Sequence, residues 1–335
     1  MINVAILGAS GYVGGELMRL IDAHPSMRVG TAFGASSAGE PVAAAHPHLA
    51  LAYPEMRFAA WDAALLTGAD LIFAALPHGE TQRLADELLA PGVPLVDLGA
   101  DFRLNDAATF ERWYGEPHAR PELLPSFAYG LPEFFREAIA GSKRVAAPGC
   151  YPTAASLALK PLVEAGAIEA VGIIVDAASG VSGAGRAAST GTHFCSIDGN
   201  FRAYGLTGHR HTAEMEMVTG ASVLFTPHLM ATNRGILATC YARATGPSDP
   251  LSILRAAYDG ERFVHAGEAL PESKWATGSN AAFVSARYDE RTGTVIALAA
   301  IDNLGKGAAG QMIQCANLML GLDEGAGLTT IGIYP

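Results

Sequence analysis

The sequence predicts an α/β fold: a doubly wound parallel sheet followed by a second domain of different texture. Three observations carry this reading. The chain opens on a continuous apolar run, INVAIL (2–7), which leads at once into glycines at Gly8, Gly11 and Gly14. Further short apolar runs follow, with helical patterns between them, the alternation that builds a parallel sheet. Beyond residue 148 the texture changes to longer strand-like runs feeding Gly/Ser-rich loops.

INVAIL has the unbroken hydrophobicity of a strand buried on both faces. The segment GASGYVGGEL (8–17) then spaces its glycines G-x-x-G-x-x-G and continues as a helix through Leu17 and Leu20. A strand-to-helix turn without Cβ atoms lets a pyrophosphate approach the backbone and rest on the helix N-terminus, so the pattern predicts a Rossmann-type dinucleotide site. RVGTAF (28–33), DLIFAAL (70–76) and PLVDLGA (94–100) are the next strands, with a helix over TQRLADELLA (81–90). An NAD site places Asp or Glu at the end of the second strand to accept from the ribose 2′-OH. Here FGASSAGE (33–40) offers Ser36 and Ser37 and no acid before Glu40, which predicts NADP; a plain Ser/Gly loop is the alternative.

In APGCYPTAASLAL (147–159), Cys150 sits between two prolines at the head of an apolar run that reads as a helix through Thr153, Leu157 and Lys160. Proline suits a first helical turn. A thiol there meets the positive end of the helix, which favours the thiolate, although a small buried residue is the other reading. VGIIVDAASGVSGAGR (171–186) predicts a strand entering a loop whose backbone N–H groups form an anion nest, with Arg186 adding charge. GLTGHRHTAEME (205–216) carries His209 and His211 around Arg210. This pair reads as metal ligands, as surface residues, or as one acid/base residue with a helper. No further pattern completes a metal site, so no metal is expected and a proton shuttle is preferred. LFTPHLMATNRGILATCYA (224–242) takes on strand character after Asn233. TVIALAAIDNLGKGAAGQMIQCANLML (294–320) ends a strand at Ile301, turns through a loop with Asn303 and Lys306, and enters an amphipathic helix.

Bulk properties narrow the class. The 335 residues suffice for two domains, and half of them are hydrophobic. A net charge of −11, without a long basic run, argues against nucleic acid or an anionic membrane as partner. The four widely spaced cysteines form no C-x-x-C pattern and suggest a reducing cytoplasm. No apolar run reaches transmembrane length, and the start lacks the basic region of a signal peptide. A nicotinamide domain joined to a helix-head cysteine, an anion loop and a histidine pair suggests acyl transfer coupled to hydride transfer through a thioester.

The motifs GASGYVGGEL, HPHL (46–49), ALPHG (75–79), DLGADFRL (97–104), PGCYPT (148–153), SGVSGAGR (179–186), GHRHT (208–212), FTPHL (225–229), NRGI (233–236) and DNLGKGAAGQ (302–311) together resemble N-acetyl-γ-glutamyl-phosphate reductase. That family is the arginine-biosynthesis branch of the semialdehyde dehydrogenase group, and the resemblance runs end to end. It implies a dinucleotide-binding domain over 1–148, completed by a C-terminal helix over 306–335, and an α+β catalytic and oligomerisation domain over 149–305. It implies Cys150 as the nucleophile, His209 as general acid/base and His211 as its helper at the substrate or phosphate. Arg103, Ser182, Gly183 and Arg186 would hold the anionic substrate or leaving phosphate. Gly8, Ser10, Gly11, Tyr12, Val13, Gly14, Ser36, Ser37, Pro77, Asn303 and Lys306 would hold NADPH. A soluble homodimer or homotetramer in the cytoplasm is implied as well.

The chain departs from the family pattern at Ala213, where the His pair is usually followed by Thr-Pro-Glu, at LMATN (229–233), and at Ser196 and Gly199. These segments bear on substrate detail. The same chemistry on an aspartyl or carrier-linked aminoadipyl phosphate, or an NADP-binding sensor without turnover, are the alternatives.

Overall fold

Ile2–Leu7 forms strand β1, and Tyr12–Asp22 the helix after it. The computed structural model describes residues 1–335, which divide into two units: 1–111, 116–148 and 308–328 in the first, 112–115, 149–307 and 329–335 in the second. The first unit is built on a six-stranded sheet, all of whose pairs are parallel. Its remaining strands are β2 (Met27–Phe33), β3 (Leu71–Ala74), β4 (Leu95–Asp97), β5 (Ala128–Tyr129) and β6 (Arg144–Ala146). They lie in the order β2-β1-β3-β4-β6-β5. The chain winds outward in both directions from β1 and β3, and the loops after these two strands flank the switch point where such sheets bind ligands.

The apolar runs are strands because both faces of the sheet are covered: β3 and the last four residues of β1 are fully buried. The helix expected over 81–90 is broken at Leu84 into Glu80–Arg83 and Ala85–Leu89. Residues 306–335 are not one helix either. A π-helical turn, Gly305–Ala309, precedes the helix Gly310–Met319, and turns and coil follow. That helix is not amphipathic, since every residue from Gly310 to Asn317 is buried. It packs on the helices Tyr12–Asp22 and Pro132–Ala140, and two of its polar side chains find internal partners. Gln314 Nε2 donates to Glu324 Oε1 at 2.7 Å, and Asn317 Nδ2 to the Ala326 carbonyl at 3.0 Å.

The second unit carries a mixed seven-stranded sheet. Its strands are β7 (Ile173–Gly180), β8 (Phe201–Ala203), β9 (Val223–Met230), β10 (Ile236–Arg243), β11 (Val264–Ala266), β12 (Ala282–Asp289) and β13 (Thr294–Ile301). The order is β11-β12-β13-β10-β7-β9-β8. Burial alternates along β7, β9 and β10, the signature of a sheet covered on one face. The covering element is the helix Cys150–Glu164, which packs on β10, β12 and β13 and buries every residue from Tyr151 to Leu159. On the opposite face Ile174, Leu224 and Tyr241 are exposed.

Candidate active site

Gly11 is the N-cap of the first helix, and the glycine turn before it has no room for side chains. Gly8 takes φ +74°, and a Cβ there would collide with the Ala75 carbonyl just past β3. A Cβ on Gly14 would overlap the backbone of Gly8 and Ala9. The turn is a backbone cradle at a helix N-terminus beside the switch point, which fits a dinucleotide pyrophosphate. Ser10, Tyr12 and Val13 line the same turn, and Pro77 lies in the loop after β3. The cradle has a support that sequence reading left without a role. His46, from HPHL, is 2% exposed and its Nε2 donates to the Ala9 carbonyl at 2.9 Å. Its ring fills the space a Cβ on Gly15 would need.

Arg103 belongs to this first unit, where it is buried and its Nη2 donates to the Leu98 carbonyl at 2.6 Å. Near it lies Asp97, at the end of β4, whose Oδ1 accepts from Thr81 Oγ1 at 2.9 Å and from the Gly99 N–H at 2.8 Å. Burial, reinforced by the Asp101 carboxylate, pushes the Asp97 carboxyl up to about 7 against the opposing pull of Arg103.

In the second unit Cys150 is the first residue of its helix, and it is half-buried. Two segments converge on that helix terminus. The backbone N–H of Gly149 donates to Glu214 Oε2 at 3.0 Å. A Cβ on Gly149 would overlap the His211 ring, so the imidazole lies directly against the residue before Cys150. A Cβ on Gly307 would come within 2.8 Å of Cys150 Cβ, which brings the DNLGKG loop against the cysteine from another side.

His211 opens the helix His211–Thr219, and Glu214, one turn later and fully buried, presents Oε1 4.0 Å from His211 Nε2. His209 lies beside it, the two ring centroids 4.7 Å apart. The His211 backbone N–H donates to His209 Nδ1 at 3.2 Å, which leaves the His209 proton on Nε2. Burial, aided by the Arg210 charge, lowers the His209 pKa to about 4, so this imidazole is neutral near pH 7. Tyr151 packs its ring against both histidines and donates its hydroxyl to the His228 carbonyl at 3.0 Å, while Tyr204 donates to the Tyr151 hydroxyl at 3.1 Å.

The loop after β7 differs from the expected open nest. The N–H groups of Gly180, Val181 and Ser182 donate to the carbonyls of Gly235, Thr232 and Asn233, and Gly185 donates to Ser182. These donors hold a short 3-10 turn, Val181–Ala184, against the NRG loop, so they are engaged within the chain. The Ser182 hydroxyl accepts from Asn303 Nδ2 at 2.9 Å, which leaves its own hydrogen to point elsewhere. Asn303 Oδ1 accepts the Gly235 N–H at 2.8 Å, so the amide locks two loops together. Gly183 and Arg186 are exposed on the same loop, and Lys306 is fully buried in the π-helical turn. No group of three or more His, Cys, Asp or Glu side chains is placed to hold a metal. Glu214 and His46 are the site residues that sequence reading missed. No local pattern ties Glu214 to Gly149.

Known proteins share this organisation. Residues 3–142 match the family model described as semialdehyde dehydrogenase, NAD binding domain, and residues 150–303 that described as semialdehyde dehydrogenase, dimerisation domain. An N-acetyl-gamma-glutamyl-phosphate reductase of Symbiobacterium thermophilum is 47% identical over 348 residues, covering 100% of this chain and 99% of that protein. The chain belongs to the N-acetyl-gamma-glutamyl-phosphate reductase family. Other members of this reductase family align as fully: that of Ectopseudomonas mendocina is 44% identical, with 100% of both chains covered. The reductase fold is also that of an aspartate semialdehyde dehydrogenase II from Vibrio cholerae solved with ASA, at TM-score 0.72 and 19% identity over 96% of this chain and 98% of that one. An aspartate semialdehyde dehydrogenase of Candida albicans solved with NADP gives TM-score 0.67 at 15% identity, covering 96% and 98%.

Proposed function

We propose that this chain reduces N-acetyl-γ-glutamyl phosphate to N-acetylglutamate 5-semialdehyde, releasing phosphate, with NADPH as reductant, in arginine biosynthesis. The observation that carries the mechanism is the helix-head cysteine with an imidazole packed against the residue before it.

The Cys150 thiolate, at the positive end of its helix, attacks the acyl carbonyl. A C–S bond forms, the C–O bond to phosphate breaks, and the enzyme holds a thioester. His211 takes the thiol proton and releases it to the departing phosphate. Ser182, its hydroxyl oriented by Asn303, donates toward that phosphate. Arg186 on the same loop supplies positive charge for the anionic substrate. The Gly8–Gly14 cradle would hold the dinucleotide, which when bound would supply the hydride that reduces the thioester. Collapse of the resulting oxyanion breaks the C–S bond, which frees the aldehyde and restores the thiolate, and His211 takes back from water the proton it gave to phosphate. This assigns the shuttling proton to His211. His209, already neutral and with Nδ1 engaged, orients it.

The reading extends to a homodimer or homotetramer. The open face of the second sheet, with Ile174, Leu224 and Tyr241 exposed, suits burial against another copy. Light scattering on a Leu224→Glu, Tyr241→Glu variant should report a smaller species than wild type. A cytoplasmic setting fits four cysteines that form no disulfide.

The deciding experiment runs the reaction backwards. N-acetylglutamate semialdehyde, NADP and phosphate should yield NADPH only when phosphate is present, and Cys150→Ser should abolish the signal while retaining NADP binding. Phosphate-dependent turnover with aspartate semialdehyde in its place would transfer the same chemistry to the shorter substrate.

A further inference from the structure

The loop after β2 carries donors with no partner inside the chain. Ser36 and Ser37 make no side-chain hydrogen bond, and Ser37 is engaged only through its carbonyl, which accepts the Glu40 N–H at 3.0 Å. Beside this loop runs a second segment, Met56–Ala59. Gly39 N–H donates to the Phe58 carbonyl at 2.7 Å, Phe58 N–H to Glu40 at 3.0 Å, and Val42 N–H to Met56 at 2.9 Å. These bonds place Arg57 opposite Pro41. The Arg57 guanidinium bends back over the loop, where Nη1 donates to the Gly39 carbonyl at 2.8 Å. That is its one hydrogen bond, and it forms no ion pair with Glu40 or any other acid. A guanidinium has five N–H donors, so four remain.

The position of this loop defines what it would meet. Leu7 and Phe33 are register partners at the ends of β1 and β2, and the Ala9 N–H donates to the Phe33 carbonyl at 2.9 Å. The loop after Phe33 therefore begins beside the pyrophosphate cradle, where the adenosine ribose of a dinucleotide extends. We infer that Arg57, held over this loop by Gly39, is the residue that selects NADP over NAD, by pairing with the 2′-phosphate alongside Ser36 and Ser37. The chemistry suits that ligand: a phosphomonoester dianion takes several convergent donors from a planar cation. In a chain with a net charge of −11, a cation without a carboxylate partner at this place is a distinctive feature.

The inference rests on NADP being the cofactor, and its test separates the two. Calorimetry on the full-length protein would measure adenosine 2′,5′-bisphosphate against 5′-AMP, and NADP against NAD. Wild type should prefer the 2′-phosphorylated ligand of each pair. Arg57→Ala should weaken binding of the bisphosphate and NADP at least tenfold while leaving 5′-AMP and NAD unchanged, and Arg57→Lys should recover part of the loss. A wild type without preference would refute the NADP reading itself. A wild type with the preference and an Arg57→Ala variant that keeps it would overturn the role of Arg57 alone. Equal loss for all four ligands would reduce Arg57 to a support for the loop and overturn it too.

Discussion

The backbone N–H of Gly149 and the carboxylate of Glu214 meet at 3.0 Å, tying the residue before Cys150 to the helix that begins with His211. One carboxylate thus holds the cysteine-bearing turn with Oε2 and faces the imidazole with Oε1. The two tasks separate by mutation. Glu214→Gln keeps an acceptor for Gly149 but removes the charge facing His211, so the melting temperature should hold while kcat falls roughly tenfold to a hundredfold, less than the loss of a general base itself. Glu214→Ala leaves a buried N–H unpaired and should cost a further 1–3 kcal/mol or so of stability. Thermal melts and kcat measured on both variants check this, and equal melting losses for the two would sink it.

The histidine pair makes a second contrast. His211 lies against Gly149, whereas His209 accepts from the His211 backbone and is held neutral by burial. His211→Gln should lower kcat by about 10²–10⁴-fold, the usual range for a lost acid/base group. His209→Gln should cost less and leave NADP affinity intact. Steady-state rates with direct cofactor titration decide between them, and a larger loss at His209 would return the proton to that residue.

Much of this architecture is legible locally. The glycine spacing after INVAIL and the prolines around Cys150 each describe one strand end or one helix start, and local stereochemistry dictates both. What escaped reading is non-local. Glu214 reaches Gly149 across 65 residues, and His46 reaches Ala9 across 37, with no periodicity to announce either. The loop after β7 illustrates the opposite error: its glycines and serines suggest free donors, but the NRG loop docks on it and takes several of them. The helix Gly310–Met319 looks amphipathic because its polar residues are counted as exposed, yet Gln314 and Asn317 face the 324–326 turn that covers them.

Asp97 makes stability depend on pH. Burial above all pushes its carboxyl up to about 7 in the folded chain, against an ordinary value of 3.8. Between these values the folded state binds the extra proton, so this group's contribution to stability is complete below about pH 4 and is lost as pH rises to 7. The slope within the window approaches about 1.4 kcal/mol per pH unit. Asp97→Asn removes the titration, and the difference in urea midpoint between the two proteins should change across that window and level off above it. A constant difference from pH 4 to pH 8 would show that Asp97 does not titrate there.

Asn303 joins the last pair of loops, accepting from Gly235 at 2.8 Å and donating to Ser182 at 2.9 Å. Asn303→Asp preserves the acceptor and turns the donor into a second acceptor. The Ser182 hydroxyl would then turn its hydrogen toward residue 303 and away from the phosphate. In the reverse reaction the KM for phosphate should rise about tenfold, the worth of one neutral hydrogen bond of roughly 1.4 kcal/mol. KM for NADP should stay where it is, because no part of the dinucleotide cradle is touched. Ser182→Ala should give the same phosphate defect without adding to that of Asn303→Asp in the double variant, since both remove one donor. Additive losses would mean that the two side chains act separately, and an effect confined to NADP would place Asn303 at the cofactor instead.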